Sequence, residues 1–323
     1  MALDGIFLYH LKKEIASFAV GSRIEKIHQP SKEELVFSLR SREGTEKLLL
    51  SCRADSARLH FTEHSPENPT KPPMLCMLLR KHLMGGKIIS VLQNGLERVV
   101  EIKVSSVNEL GDTVCLSVVI EIMGRYSNII LLNENRKIID ALKRIDESKS
   151  QVRCVLPGAE YISPPAQNKL NLLTDDMAEI KKRIGLGRKT PAHSFQDAVM
   201  GVSPIICREY ENGVSLEKIK DYAENPVPVA VINDTPMDFA FMPIQQYGSL
   251  VTLKEFSTFS QLLDFFYYER VKADRIRQRS GDLFKTLQNL HERAVRKAFM
   301  RSKELEACRD KDKYRIFGDL LST

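Results

Sequence analysis

The chain has 323 residues, with 48 Lys and Arg against 42 Asp and Glu for a formal net charge of +6, too mild a bias to mark a nucleic-acid-binding protein by itself. Hydrophobic residues make up 43% and charged residues 28%, a balance that supports a sizeable core and excludes a mostly disordered chain. At roughly 100–200 residues per domain, two or three units are expected.

The opening segment MALDGIFLYHLKKEI interrupts its apolar positions with Asp4, His10, Lys12 and Lys13, so it lacks a signal-peptide core. Leu8, Leu11, Ile15 and Phe18 recur at helical spacing and predict a helix over Phe7 to Phe18. After Gly21, RIEKIHQ, ELVFSLR, KLLLSC and ARLHFT read as strands of an antiparallel sheet. Pro72-Pro73 then precede MLCMLLRKHLM, which stops at Gly85-Gly86; this punctuation predicts a buried helix with Met74, Met77 and Met84 filling the core. IISVLQ, RVVEIKV, TVCLSVVIEI and NIILLN form a second set of strands, the last leading into a turn at Asn133-Glu134-Asn135. The expectation is two small sheets with a helix between them.

Pro157-Gly158 and Pro164-Pro165 mark a boundary, after which residues 170–225 turn helical and carry GLG at 185–187 and GVSP at 201–204. Glycine-bearing turns between short helices either offer backbone N–H groups to a phosphate or simply join the helices. Residues 229–256 return to strands, and SQLLDFFYYERV starts a long helix. Along it, Ile276, Leu283, Leu287, Leu290 and Ala294 follow the spacing of a coiled-coil seam. Between Glu269 and Arg315, 15 Lys and Arg face 8 Asp and Glu, whereas the remainder holds 33 against 34. All net positive charge therefore sits on this arm, as a stripe that tracks a phosphate backbone or as the solvated face of a coiled coil.

No window approaches the ~18 apolar residues of a membrane-crossing helix. Cys52, Cys76, Cys115, Cys154, Cys207 and Cys308 stand singly, which predicts buried thiols in a reducing, cytoplasmic compartment. His60 and His64 have an HxxxH spacing with no paired second half, so neither metal nor other cofactor is expected. Taken alone, Glu97-Arg98 reads as a solvated cross-strand ion pair worth roughly 0–1 kcal/mol. Glu121, Arg125 and Asn128 read as side chains holding a turn at Gly124.

Several strings, in order along the chain, carry a resemblance: ALDGIFL, KIHQP at 26–30, ENPTKPPMLCMLLRKH at 67–82, GLER at 95–98, EIMGRYSNIIL at 121–131, LPGAEY at 156–161, GVSP, and KYRIFGDLL at 313–321. They resemble the N-terminal NFACT region of the RqcH/NEMF ribosome quality-control factors, whose bacterial members have long been labelled fibronectin-binding proteins. The resemblance implies a non-enzymatic adaptor that binds the large ribosomal subunit carrying an obstructed peptidyl-tRNA. It would recruit tRNA, in bacterial members alanyl-tRNA, for mRNA-independent tailing that marks the stalled chain for proteolysis. Family members continue into an NFACT-R domain, so the chain reads as a fragment.

The implied fold is α+β. A two-lobed body similar to formamidopyrimidine DNA glycosylases spans 1–168, a helix-hairpin-helix-like insert 169–226, return strands and a helix start 227–268, and a coiled-coil arm 269–323. Carried over by position, Asp4, Glu97 and Arg98 would contact tRNA, Glu121, Ile122, Met123, Arg125 and Asn128 would contact ribosome or RNA, and the arm would lie on rRNA. The commoner pair is Asp-Arg; Glu97 puts its carboxylate one methylene farther out, which bears on alanyl-tRNA selectivity more than on tRNA binding. His28, Gln29 and Pro30 read as strand-end structure. The alternative is a surface adhesin for fibronectin or fibrinogen. DNA repair on the glycosylase-like fold is disfavoured, because the chain opens Met1-Ala2-Leu3 in place of that family's N-terminal proline nucleophile.

Overall fold

The computed structural model describes residues 3–64, 67–146 and 153–322, without the side chains of 271–279, 281 and 282. It divides into two compact units, Met1–Tyr268 and Glu269–Thr323.

The first unit opens with helix α1 (Gly5–Ala19), which buries Leu8, Leu11 and Ile15 as their spacing requires. Strands β1 (Arg23–Ser31), β2 (Glu34–Arg40), β3 (Thr45–Ser51) and β4 (Arg58–Phe61) follow, then helix α2 (Met74–Leu83). A second run comprises β5 (Lys87–Gln93), β6 (Val99–Val107), β7 (Thr113–Glu121), β8 (Asn128–Leu132) and β9 (Ile138–Ala141). All nine strands belong to one sheet in the order β4-β3-β2-β1-β5-β6-β7-β8-β9. This corrects the expectation of two small sheets. The halves join at Arg23 opposite Lys87, where the Gly85-Gly86 turn lets Gly85 N donate to Ile24 O at 2.8 Å and Ile24 N donate to Gly86 O at 2.9 Å. Gly85 has φ +77, a conformation that favours glycine.

Helix α2 buries Cys76, Leu79 and Leu83, an i, i+3, i+7 stripe. Met74, Met77 and Met84 lie off that stripe and are exposed, so the assignment of these methionines to the core is corrected. Cys52, Cys76 and Cys207 are buried, whereas Cys308 is exposed. Burial pushes the Cys52 thiol up to about 11 and Cys207 up to about 12, which leaves both unreactive at neutral pH.

Four short helices then occupy α3 (Met177–Gly185), α4 (Pro191–Ala198), α5 (Pro204–Glu211) and α6 (Leu216–Glu224). Strands β10 (Val229–Asn233), β11 (Thr235–Ala240) and β12 (Thr252–Glu255) make a second sheet, β11-β10-β12.

Helix α7 (Phe259–Cys308) starts in the first unit. The Glu14 carboxylate from α1 accepts from Phe259 N at 2.8 Å and Ser260 N at 3.1 Å, supplying from far along the chain the acceptor that a helix N-terminus needs. Along edge strand β4, Phe61 N donates to Ser260 Oγ at 3.2 Å, and the Asp264 carboxylate accepts from Thr62 Oγ1 at 2.6 Å and Glu63 N at 3.0 Å. At the opposite edge, Ile138 N donates to Ala159 O at 2.8 Å and Gly158 N to Ile138 O at 2.8 Å.

The second unit holds the rest of α7 and helix α8 (Lys311–Leu321). The long helix thus stops at Cys308. Leu283, Leu287 and Leu290 of the expected seam are exposed, and the Ile276 side chain lies outside the described residues.

Candidate functional site

Three of the sequence motifs meet where α1 begins. A cavity of about 340 Å³ is lined by Asp4 of ALDG, Glu97 and Arg98 of GLER, and Ser203 of GVSP, with Met123 and Lys169 also on its wall. Asp4 has the extended backbone of an N-cap, and its Oδ1 accepts from Phe7 N at 2.7 Å. Its other oxygen accepts from Ser203 Oγ at 2.8 Å. Ser203 in turn precedes Pro204, the first residue of α5, where proline is compatible with a helix start.

Backbone close approach fixes this arrangement. Gly5 N and Ile6 N both donate to Gly201 O, at 3.0 and 3.1 Å. Gly201 has φ +72, and a Cβ placed on Gly5 would lie 1.9 Å from the Leu96 carbonyl oxygen. Only glycine at position 5 lets α1, the GLER turn and the GVSP turn touch through their main chains. Gln93 ties the same point, its Nε2 donating to Gly5 O at 3.2 Å and Glu97 O at 2.8 Å.

Asp4 is 8% exposed. Burial pushes its carboxyl up to about 6, opposed by the Phe7 amide, the Ser203 hydroxyl and the Arg98 charge. Burial likewise pulls the Arg98 guanidinium down, and Asp4 opposes the fall. The cavity therefore offers a planar cation beside two carboxylates, donors and acceptors together, suited to hydrogen-bonding a ligand that carries both. Its described lining includes neither histidine nor cysteine.

EIMGRYSN divides between interior and surface. Glu121 is fully buried: its Oε1 accepts from Arg153 Nη1 at 2.6 Å and from Tyr161 Oη at 2.9 Å, and its Oε2 accepts from Arg153 Nη2. Ile122 is buried and its N–H donates to Arg98 O at 2.8 Å, directly behind the cavity wall. Asn128 is buried too, with Oδ1 accepting from Ile129 N and Lys143 N at 2.9 Å and Nδ2 donating to Lys143 O at 2.7 Å. Met123 reaches the cavity, whereas Arg125 is exposed, lying over the Tyr126 ring at 4.7 Å. Gly124 turns the chain at φ +58.

His60 and His64 both face the Asp264 carboxylate, with Nε2 distances of 3.4 and 3.7 Å. Burial lowers the His60 imidazole to about 4, so it is neutral at pH 7. Among the described residues, no group of three His, Cys, Asp or Glu is placed to hold a metal ion. Among the described residues, no helix is long and apolar enough to cross a membrane.

Sequence reasoning missed three partners. Ser203 stood in a quoted string, but its pairing with Asp4 spans 199 positions; the Ser-Pro helix start was the available signal. Gln93 had none, and Arg153 was visible only as a cation near LPGAEY.

The family model for NFACT N-terminal and middle domains matches residues 4–323. The chain belongs to this family. A protein named Rqc2 homolog RqcH from Bacillus subtilis (strain 168) is 34% identical over 338 residues, and one of that name from Streptococcus pneumoniae (D39) is 32% identical over 329. All of this chain is covered in both matches, and it spans 58% of the length of those relatives. The N-terminal structure of the fibronectin/fibrinogen-binding protein from Streptococcus suis is similar, at TM-score 0.73 and 30% identity, covering 83% of this chain and 99% of that one. The fibrinogen-binding protein from Staphylococcus aureus gives TM-score 0.71 and 31% identity over the same shares.

Proposed function

We propose that this chain is the N-terminal part of a cytoplasmic RNA-binding adaptor of ribosome quality control. It would engage the large ribosomal subunit carrying an obstructed peptidyl-tRNA and recruit tRNA, in the sharpest form alanyl-tRNA, for tailing of the stalled chain. The observation that carries this reading is the meeting of Asp4, Glu97 and Arg98 in one cavity, since these are the residues that the family resemblance assigns to tRNA. Arg98 supplies a guanidinium for phosphate or a base face, and the carboxylates accept from base amines or ribose. We read residues 1–168 and 227–268 as the NFACT-N body, α3 to α6 as a helix-hairpin-helix insert within 169–226, and 269–323 as the start of a coiled-coil arm whose basic face lies on rRNA.

The test is sequencing of RNA that co-purifies with the full-length protein from cells, for wild type and Arg98→Ala. Enrichment of alanine tRNA and large-subunit RNA, with the tRNA lost in the variant, is the expected result. Absence of both RNAs overturns the proposal. The adhesin reading is favoured by the similarity to two proteins described as binding fibrinogen or fibronectin; detection on intact, unlysed cells would support it. Adaptor rather than glycosylase action predicts no strand cleavage of lesion-bearing DNA by the purified protein.

A further inference from the structure

KIHQP and ENPTKPPMLCMLLRKH, two strings that the tRNA cavity does not use, meet at a different place. His28, Gln29, Pro69, Thr70, Pro72 and Arg80 line a cavity of about 270 Å³. Successive residues of a strand normally point to opposite faces, yet His28 and Gln29 line the same space. The cause is a break in register between His28 and Ser31, where Pro30, with no N–H to give, spoils the ladder and the bulge re-aims its neighbours. Arg80 is anchored from α2 by Nε donating to Ile27 O at 2.8 Å, with Nη1 4.0 Å from Met77 Sδ, and it lines the cavity. Prolines 69 and 72 stiffen the facing wall.

Gln29 is 6% exposed, and its Oε1 is buried with no hydrogen-bond partner. A buried acceptor left unpaired costs free energy unless something supplies a donor. Arg80 is the one charged side chain on the cavity's described lining, and Lys26 lies near enough to act on His28. Arg80 and Lys26 both bear on His28, whose imidazole is held below its usual value first by burial and then by those charges; it stays a neutral, flat ring at pH 7.

We propose that this cavity binds one unstacked nucleotide of a single-stranded RNA segment, its base edge donating to the Gln29 amide and lying against His28, its phosphate meeting Arg80. A flat ring, a planar cation and an amide that reads a base edge are the means by which proteins hold splayed-out bases. At about 270 Å³ the space is on the scale of one small ligand unit. The ligand class rests on the RNA-binding reading above; the site itself is separate from Asp4 and Arg98.

The experiment uses the full-length protein with a fluorescein-labelled 12-nucleotide single-stranded RNA of mixed sequence, read by anisotropy alongside thermal unfolding. Gln29→Leu keeps the shape and removes the orphaned acceptor, so an unchanged or raised Tm with about tenfold weaker binding, the scale of one lost base contact, is expected. Equal affinity in that variant, with wild type binding RNA, means that the cavity holds water only and overturns the site while sparing the RNA reading. No binding by wild type overturns the site, while the RNA reading stands or falls on the co-purified tRNA and large-subunit RNA. Photocrosslinking of 4-thiouridine RNA to wild type reads the site without substitution: adducts on 26–30 or 67–80 support it, and their absence from both segments overturns it.

Discussion

Asp4 and Glu121 are both buried carboxylates in the first unit, and they are treated in opposite ways. Glu121 has a guanidinium on both oxygens and a tyrosine hydroxyl besides, so its negative charge is neutralised inside the protein. Asp4 is met by neutral donors, Phe7 N at 2.7 Å and the hydroxyl and backbone of Ser203, with the Arg98 charge acting at longer range, and burial still raises its proton affinity. A carboxylate with a complete set of partners is a fastening. One held by neutral donors beside a cavity, with its cation at a distance, keeps charge to offer a ligand.

The sharpest way to break the contrast is Arg153→Ala, which strands the Glu121 charge in the interior. Removing one partner of a buried pair costs about 3–5 kcal/mol, expected as a large fall in urea midpoint. A loss under about 1 kcal/mol would mean that Glu121 is no more fastened than Asp4.

Next in size is the pH dependence of Asp4. Its folded pKa of about 6 exceeds the ordinary 3.8, so the folded state holds a proton that the unfolded state has released. This contribution to stability is complete below pH 4 and is lost as pH rises to about 6, roughly 3 kcal/mol at 1.36 kcal/mol per unit. Asp4→Asn retains an N-cap acceptor and removes this slope. Parallel profiles of urea midpoint against pH for variant and wild type would refute the assignment.

Gly5→Ala tests the backbone meeting point: a methyl 1.9 Å from the Leu96 oxygen forces a shift costing about 1–3 kcal/mol, measurable as a lower Tm. Smallest is Arg125→Ala, whose exposed side chain predicts a stability change within about 0.5 kcal/mol. If the turn faces the ribosome, co-sedimentation of full-length protein with large subunits weakens while Tm holds.

Local order was legible because it is written locally. Leu8, Leu11 and Ile15 fix α1 by spacing, Pro72-Pro73 and Gly85-Gly86 bracket α2, and alternating strings mark β1 to β8. What crosses the chain was not. The joining of two half-sheets depends on Arg23 meeting Lys87, and apolar composition alone did not say which phase of α2 faces inward, so its methionines were misplaced. Strand β9 was missed, since four residues after a turn in which Arg136 adopts φ 58 carry little pattern. Within the cavity, Asp4, Glu97 and Arg98 were named through resemblance, whereas Ser203 required the fold to bring position 203 to position 4. Glu121 was named by resemblance and as a turn residue, whereas its partners Arg153 and Tyr161 lie 32 and 40 positions along the chain.

The docking of α7 against β4 has a consequence for handling this protein in pieces. An open strand edge is a template on which other chains add and aggregate. Here Ser260 and Asp264 occupy the amides of Phe61 and Glu63, and the segment at Gly158 and Ala159 bonds the outer side of β9 at the other end of the sheet. A truncation placed before Phe259 would uncover the β4 edge and yield insoluble material, so expression boundaries belong beyond Tyr268.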